Sequence, residues 1–185
     1  IPWPLYTSRL DIEPELAAVY GNTLQPLAGF CIFNDVSARD VQAQEFVGGF
    51  CLTKDMDKGN QLGPYLVTAD EVGDPRDGLR LLTRVNGEIV QDGSTADMIF
   101  SVGEILAYLS EVMTLNPGDV VTTGTPQGVG FKRTPPRFLG PGDVVEVDIG
   151  ERRVHGVGDL DPTCEGGTEQ VLEVGRGAQH RGRPQ

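Results

Sequence analysis

Residues 11–21 read DIEPELAAVYG, and their patterning settles whether the chain is read as helical or β-rich. Apolar and β-branched residues run up to Gly21 and read as a strand. Pro14 cannot donate to a ladder, so it suits an edge strand or a bulge. On a strand, side chains two apart project from one face, so Glu13 and Glu15 would converge. Like charges held that close repel, and one pKa rises unless a cation sits between them. A hard divalent ion with oxygen ligands, Mg²⁺, Mn²⁺ or Ca²⁺, would satisfy the pair. Taken alone, an E-x-E is more often a solvated strand face.

Outward from this stretch, LAGFCIFND (27–35) reads as a second strand, followed by a short helical turn from Ser37. GPYLVTADEV (63–72) reads as another strand with a loop behind it. LRLLTRVNGEIVQDG (79–93) reads as a β-hairpin, because Asn86-Gly87 is the dipeptide a type I′ turn favours. One substantial helix is expected: Ser101 and Glu104 form a capping box ahead of EILAYLSEVM (104–113). Ile105, Leu106, Leu109 and Met113 would make its apolar stripe. Beyond the turn at LNPGD (115–119), DVVTTGTPQGVGF (119–131) and GDVVEVDIGERRVHGVGD (142–159) are β-rich and punctuated by glycine. The basic tail, residues 175–185, reads as frayed. With no internal repeat and no strong linker, residues 1–185 read as a single domain, mainly β with few helices (α+β).

Composition narrows the function classes. The chain has 185 residues, long enough to bury one substantial core. A formal charge of -12 excludes the basic footprint of a nucleic-acid surface. No apolar run approaches the roughly 20 residues that span a bilayer. Cys31, Cys51 and Cys164 show no CxxC spacing, which suits free thiols in a reducing cytoplasm. IPWPLYTSRL lacks the pattern of a secretory leader. The chain opens on Ile1 rather than Met, so further sequence upstream is expected.

Asp35 would add a third carboxylate to Glu13 and Glu15 if the first two strands are neighbours. Three carboxylates around a dication leave a net charge near -1, so an anionic substrate needs positive groups beside them. Arg39, a turn beyond Asp35, offers a bidentate fork for a carboxylate, and Lys54 a point charge. Gln42 offers an amide to a carbonyl or hydroxyl. Arg39 and Lys54 each have a plain alternative: an i,i+4 surface pair of Arg39 with Asp35, and a surface cluster of Lys54 with Asp55 and Asp57. TTGTPQGVGF (122–131) lets backbone N–H groups, Thr122, Thr123 and Thr125 approach a ligand, although from the residues alone it reads as a structural turn before a binding site. It lacks the Lys-Ser/Thr of a phosphate-binding loop and the following helix of a dinucleotide fingerprint.

DIEPELA, NDVSARDVQ (34–42), the Lys54 segment ending LGPYLVT, VNGEIVQDGSTADMIFSVGEILAYLS (85–110) and TLNPGDVVTTGTPQGVG (114–130) occur in one order. That series, over roughly residues 5 to 150, resembles the catalytic-type C-terminal domain of the fumarylacetoacetate hydrolase family. The resemblance implies a mixed β-sandwich roll, a cytoplasmic homodimer, and a Mg²⁺-type site of Glu13, Glu15 and Asp35, with Mn²⁺ or Ca²⁺ as alternatives. It implies Arg39, Gln42, Lys54 and Thr125 as binders of a 2-oxo acid, with Lys54 and Arg39 also catalytic. The implied reaction is C–C bond hydrolysis of an acylpyruvate-like compound through a metal-stabilised enolate. Isomerisation, tautomerisation or decarboxylation of 2-oxo or 2-hydroxy-dienoic acids in aromatic catabolism is the runner-up. A 2-oxo acid binding domain without turnover is a third reading.

Two features depart from the family pattern. The segment between Gly21 and Gly29 is short, and the usual His–Glu pair that activates water has no match. His155 and His180 read as structural or incidental, Glu45 has only its proximity in sequence, and the general base is unassigned.

Overall fold

The computed structural model describes residues 3, 4, 6–48 and 53–150. His155, His180, Cys51, Cys164, the expected extension of the last strand past Gly150 and the basic tail lie outside them. In chain order the strands are β1 (Leu10–Asp11), β2 (Pro14–Tyr20), β3 (Leu27–Asn34), β4 (Ser37–Ala38), β5 (Gln61–Leu62), β6 (Val67–Thr68), β7 (Arg80–Val85), β8 (Glu88–Ser94), β9 (Val120–Thr122) and β10 (Val145–Ile149). The α-helices are α1 (Arg39–Gly48), α2 (Ala69–Val72) and α3 (Val102–Val112). The architecture is the mainly β, few-helix roll expected, and every ladder between described strands is antiparallel.

β2 lies between β3 and β9, and β5 and β6 both pair with the outer side of β3. This corrects the edge or bulge position expected from Pro14. The proline is tolerated because it opens the strand and β9 pairs only with Ala17–Val19, where every N–H is present. A tight turn joins β2 to β3: Gly21 N donates to Pro26 O and Asn22 N to Gln25 O. A second sheet has the order β10-β7-β8. Its hairpin turns at Asn86 and Gly87, both at positive φ, as a type I′ turn requires.

Period-two alternation sends Leu16, Ala18 and Tyr20 of β2 to one face, where they meet Phe30, Leu81, Val85, Val145, Val147 and Ile149 in a continuous core. Glu15 therefore leaves β2 on the other face. The capping box at Ser101 and Glu104 is formed, and α3 inserts Val102 and Leu106 into the core, with Ile105 and Leu109 half-buried. Met113 does not join that stripe: it falls one residue past the helix and is exposed.

Two local expectations change. GPYLVTADEV forms only the two-residue β6 before turning into α2. The helical turn expected from Ser37 is a ten-residue helix that begins at Arg39, because Ser37 and Ala38 are held as β4 by pairing with Asp11 and Leu10. That pairing carries the start of α1 to β1, where Arg39 N donates to Arg9 O at 3.0 Å.

Candidate metal and anion site

The β2–β3 ladder ends at the pairing of Pro14 with Asn34. One step further, Asp35 N donates to Glu13 O at 2.9 Å, so the backbone itself ties the two residues together. Glu13, Glu15 and Asp35 each present a carboxylate oxygen within 4.8 Å of the others. Glu15 is almost fully buried, at 3% exposure. Burial pushes its carboxyl up to about 7, reinforced by the Asp35 and Glu13 charges and opposed by the Gly124 N–H, 2.7 Å from Oε2, and by Lys54.

The Lys54 ammonium lies 2.6 Å from Glu13 Oε2 and 2.7 Å from Asp35 Oδ2. It faces this cluster rather than forming the surface group with Asp55 and Asp57. Arg39 is only 8% exposed. Its Nε donates to Asp11 Oδ2 at 2.9 Å and its Nη1 to Gln42 Oε1 at 2.9 Å. Its Nη2 sits 2.6 Å from Glu13 Oε1, yet that contact is not an aligned hydrogen bond and the buried nitrogen has none. The guanidinium is therefore ion-paired to Glu13 through Nη2. The surface pair of Arg39 with Asp35 does not form, since Asp35 precedes β4 and shares no helical face with Arg39.

Sequence reasoning missed Asp11, which is 1% exposed and spends its carboxylate entirely inside the protein. Oδ1 accepts from Ile12 N and Gly130 N, and Oδ2 from Phe131 N and Arg39 Nε. Its signal was in plain view, because Asp11, Glu13 and Glu15 continue one alternation through LDIEPEL. Four carboxylates thus face two cations, and one dication would bring the group to neutrality. All the candidate donors are hard oxygens, which suits Mg²⁺, Mn²⁺ or Ca²⁺ over softer metals.

The TTGTPQGVGF segment divides its threonines. Thr122 closes β9, and Thr123 donates to Leu16 O at 2.8 Å, a structural bond. Thr125 accepts from Gln91 Nε2 at 3.0 Å, which leaves its own proton free to donate. Gln91, buried at 2% exposure, also donates to Pro126 O and so fixes the loop that presents Gly124 to Glu15. A 3₁₀ turn, Gly130–Lys132, follows, so no helix opens behind the loop. Glu45, on α1, accepts from Thr53 N at 2.8 Å and steadies the chain leading into Lys54. A cavity of about 530 Å³ lies along the loop, lined by Leu16, Gly124 and Thr125 among others.

The described residues thus gather three carboxylates at a strand end of a β roll, with a lysine and a buried arginine against them. The model of the fumarylacetoacetate (FAA) hydrolase C-terminal family matches residues 1–164, and the chain belongs to that family. It is 43% identical over 157 residues to the human mitochondrial oxaloacetate tautomerase FAHD2A, covering 80% of this chain and 50% of that protein. Among solved structures it resembles the fumarylacetoacetate hydrolase of Exiguobacterium antarcticum (40% identity, TM-score 0.78, 85% of this chain and 58% of that one). It also resembles the fumarylpyruvate hydrolase of Pseudomonas aeruginosa in complex with Mn²⁺ and pyruvate (30% identity, TM-score 0.71, 80% and 65%). The chain spans about half the length of the curated relatives it matches. No helix among the described residues is long and apolar enough to cross a membrane.

Proposed function

We propose that this chain is the catalytic domain of a divalent-metal-dependent enzyme that interconverts or cleaves 2-oxo acids through an enolate, with oxaloacetate-type keto–enol tautomerisation as its first activity. The observation that carries the reading is the approach of Glu13, Glu15 and Asp35 to within 4.8 Å, with Lys54 and Arg39 against them. Those three carboxylates would hold Mg²⁺ or Mn²⁺, and the bound ion would supply Lewis-acid stabilisation of the enolate charge.

Tautomerisation removes a proton from C3 of the 2-oxo acid, places the electron pair on the C2 oxygen as negative charge, and then protonates that oxygen to give the enol; the reverse steps restore the ketone. Lys54, anchored by two carboxylates, would be a pre-oriented positive charge for that oxygen. Arg39, ion-paired to Glu13 through Nη2, would take the substrate carboxylate, and Gln42 would hold the guanidinium from the other side. The Thr125 hydroxyl would donate to a carboxylate or carbonyl oxygen. The group that moves the C3 proton is unassigned.

C–C hydrolysis of an acylpyruvate, which the sequence analysis put first, shares the same enolate: water adds to the acyl carbon, the C–C bond breaks, and its electrons become the pyruvate enolate. The likeness to a fumarylpyruvate hydrolase favours this second reading, and the identity to a tautomerase favours the first. A homodimer in the cytoplasm remains part of the proposal. The deciding experiment follows the enol absorbance of oxaloacetate and the cleavage of an acylpyruvate, with Mn²⁺ or chelator, using the full-length protein. Chelator-sensitive loss of enol absorbance supports tautomerisation, and chelator-sensitive cleavage supports hydrolysis. Turnover that survives both chelator and Glu13→Gln would sink the metal-enolate reading.

A further inference from the structure

We propose that Asp11 and Phe131 are positioning residues that aim the Arg39 guanidinium, an inference that rests on Arg39 binding the substrate carboxylate. An arginine side chain ordinarily samples many rotamers, and ordering it costs conformational entropy. Here the ordering is built in from three directions. Asp11 Oδ2 fixes Nε at 2.9 Å, Gln42 fixes Nη1 at 2.9 Å, and the Phe131 ring lies under the plane, 4.2 Å from Cζ to centroid. The remaining nitrogen, Nη2, is thereby turned toward Glu13 and the carboxylate cluster.

Asp11 and Phe131 form one unit. The same Oδ2 that holds Arg39 accepts from Phe131 N at 3.0 Å, so the ring is placed by the carboxylate it shares with the arginine. Gly130 makes this approach possible: a Cβ there would lie 2.7 Å from Asp11 Oδ1 and 1.8 Å from Arg137 O. The ring also faces Lys132, whose Nζ is 4.9 Å from the centroid, and it remains partly exposed, so it is not a core anchor. Its contact with Arg39 is its distinctive one.

The test measures two affinities on each variant of the full-length protein by calorimetry: Mn²⁺ alone, and oxalate as a two-carboxylate probe on the Mn²⁺-loaded protein. A positioning role predicts that oxalate binding weakens about 10–100-fold in Asp11→Asn, the scale of a lost charge-assisted bond. In Phe131→Leu it weakens roughly 3–10-fold, the scale of a cation–π contact. Mn²⁺ affinity stays unchanged in Phe131→Leu, which removes no charge from the site. Unchanged oxalate binding in Phe131→Leu overturns the proposal, as does a parallel loss of Mn²⁺ and oxalate binding in that variant. Should Asp11→Asn not fold, Phe131→Leu alone decides. Arg39→Lys separates this inference from the one beneath it. If Arg39→Lys binds oxalate as tightly as the unaltered protein, the substrate role of Arg39 falls and positioning falls with it. If Arg39→Lys weakens oxalate binding while the other two do not, positioning alone fails.

Discussion

The Lys54 ammonium lies 2.7 Å from Asp35 Oδ2 and touches Glu13 as well, so one cation already draws on two of the three clustered carboxylates. A dication held by the triad would draw on the same side chains. Lys54→Met is therefore expected to have opposite effects on binding and on rate. Mn²⁺ affinity should rise, because a competing positive charge is gone. Turnover should fall by about 100-fold, the scale of one lost oxyanion stabiliser. Calorimetry and steady-state rates on the same preparation check both, and weaker Mn²⁺ binding would contradict the expectation.

Asp35→Asn leaves the backbone bond to Glu13 intact and removes only charge. Mn²⁺ affinity is expected to fall by more than the roughly 10–100-fold that loss of a supporting group costs. Melting temperature measured in chelator should stay flat or rise, since carboxylate repulsion is relieved. A variant that keeps full Mn²⁺ affinity would remove Asp35 from the site.

The raised Glu15 carboxyl sets a pH dependence whose sign can be worked out. An ordinary glutamate loses its proton near 4.5, whereas Glu15 holds it to about 7 in the folded protein. Between those values the folded chain binds more protons than the unfolded one, so stability contributed by Glu15 is lost as pH rises through the window. Urea titrations in chelator at pH 5, 6 and 7.5 should show that decline. Mn²⁺ competes with the same proton, so its affinity should climb by up to about tenfold per pH unit below 7 and then level off. A flat affinity profile over this range would place the proton elsewhere.

Gly130→Ala forces a methyl group against Arg137 O and the Asp11 carboxylate. A cost of at least about 1–3 kcal/mol is expected, the range for overpacking a filled site, read as a lowered urea midpoint. Gly87→Ala, at positive φ but with open space around it, should cost less, because strain there is confined to the turn backbone. Equal losses in the two variants would refute the close packing at Gly130.

Much of this arrangement was legible in the sequence because it depends on short-range rules. The Asn86-Gly87 turn and the Ser101 cap follow from a dipeptide and a spacing, whereas Glu13 meets Glu15 from the break between β1 and β2 rather than from one strand. The contacts that failed to show were those made across the fold. Asp35 and Arg39 suggested a helical pair, but Asp11 claims the guanidinium from a strand 28 residues away in sequence. Lys54 also fitted an acidic surface run, but the strand end places two half-buried carboxylates against it. Pro14 misled for a different reason: a proline at a strand's first residue leaves the rest of the ladder free to take partners on both sides. Asp11 was visible in the alternation yet seemed unremarkable, since a local pattern does not disclose which carboxylates will be sealed from water.

The Asp35–Glu13 backbone bond means that the spacing of the acidic cluster is dictated by the peptide ladder, whose strands sit about 4.8 Å apart in any sheet. The backbone thus sets how far apart Glu13 and Asp35 leave the chain, before any side chain is oriented. Loops attached beyond that point can lengthen, shorten or change chemistry without retuning it. A scaffold of this kind lets the surrounding chemistry drift while the carboxylate spacing stays put, which fits a family whose members range from tautomerase to hydrolase.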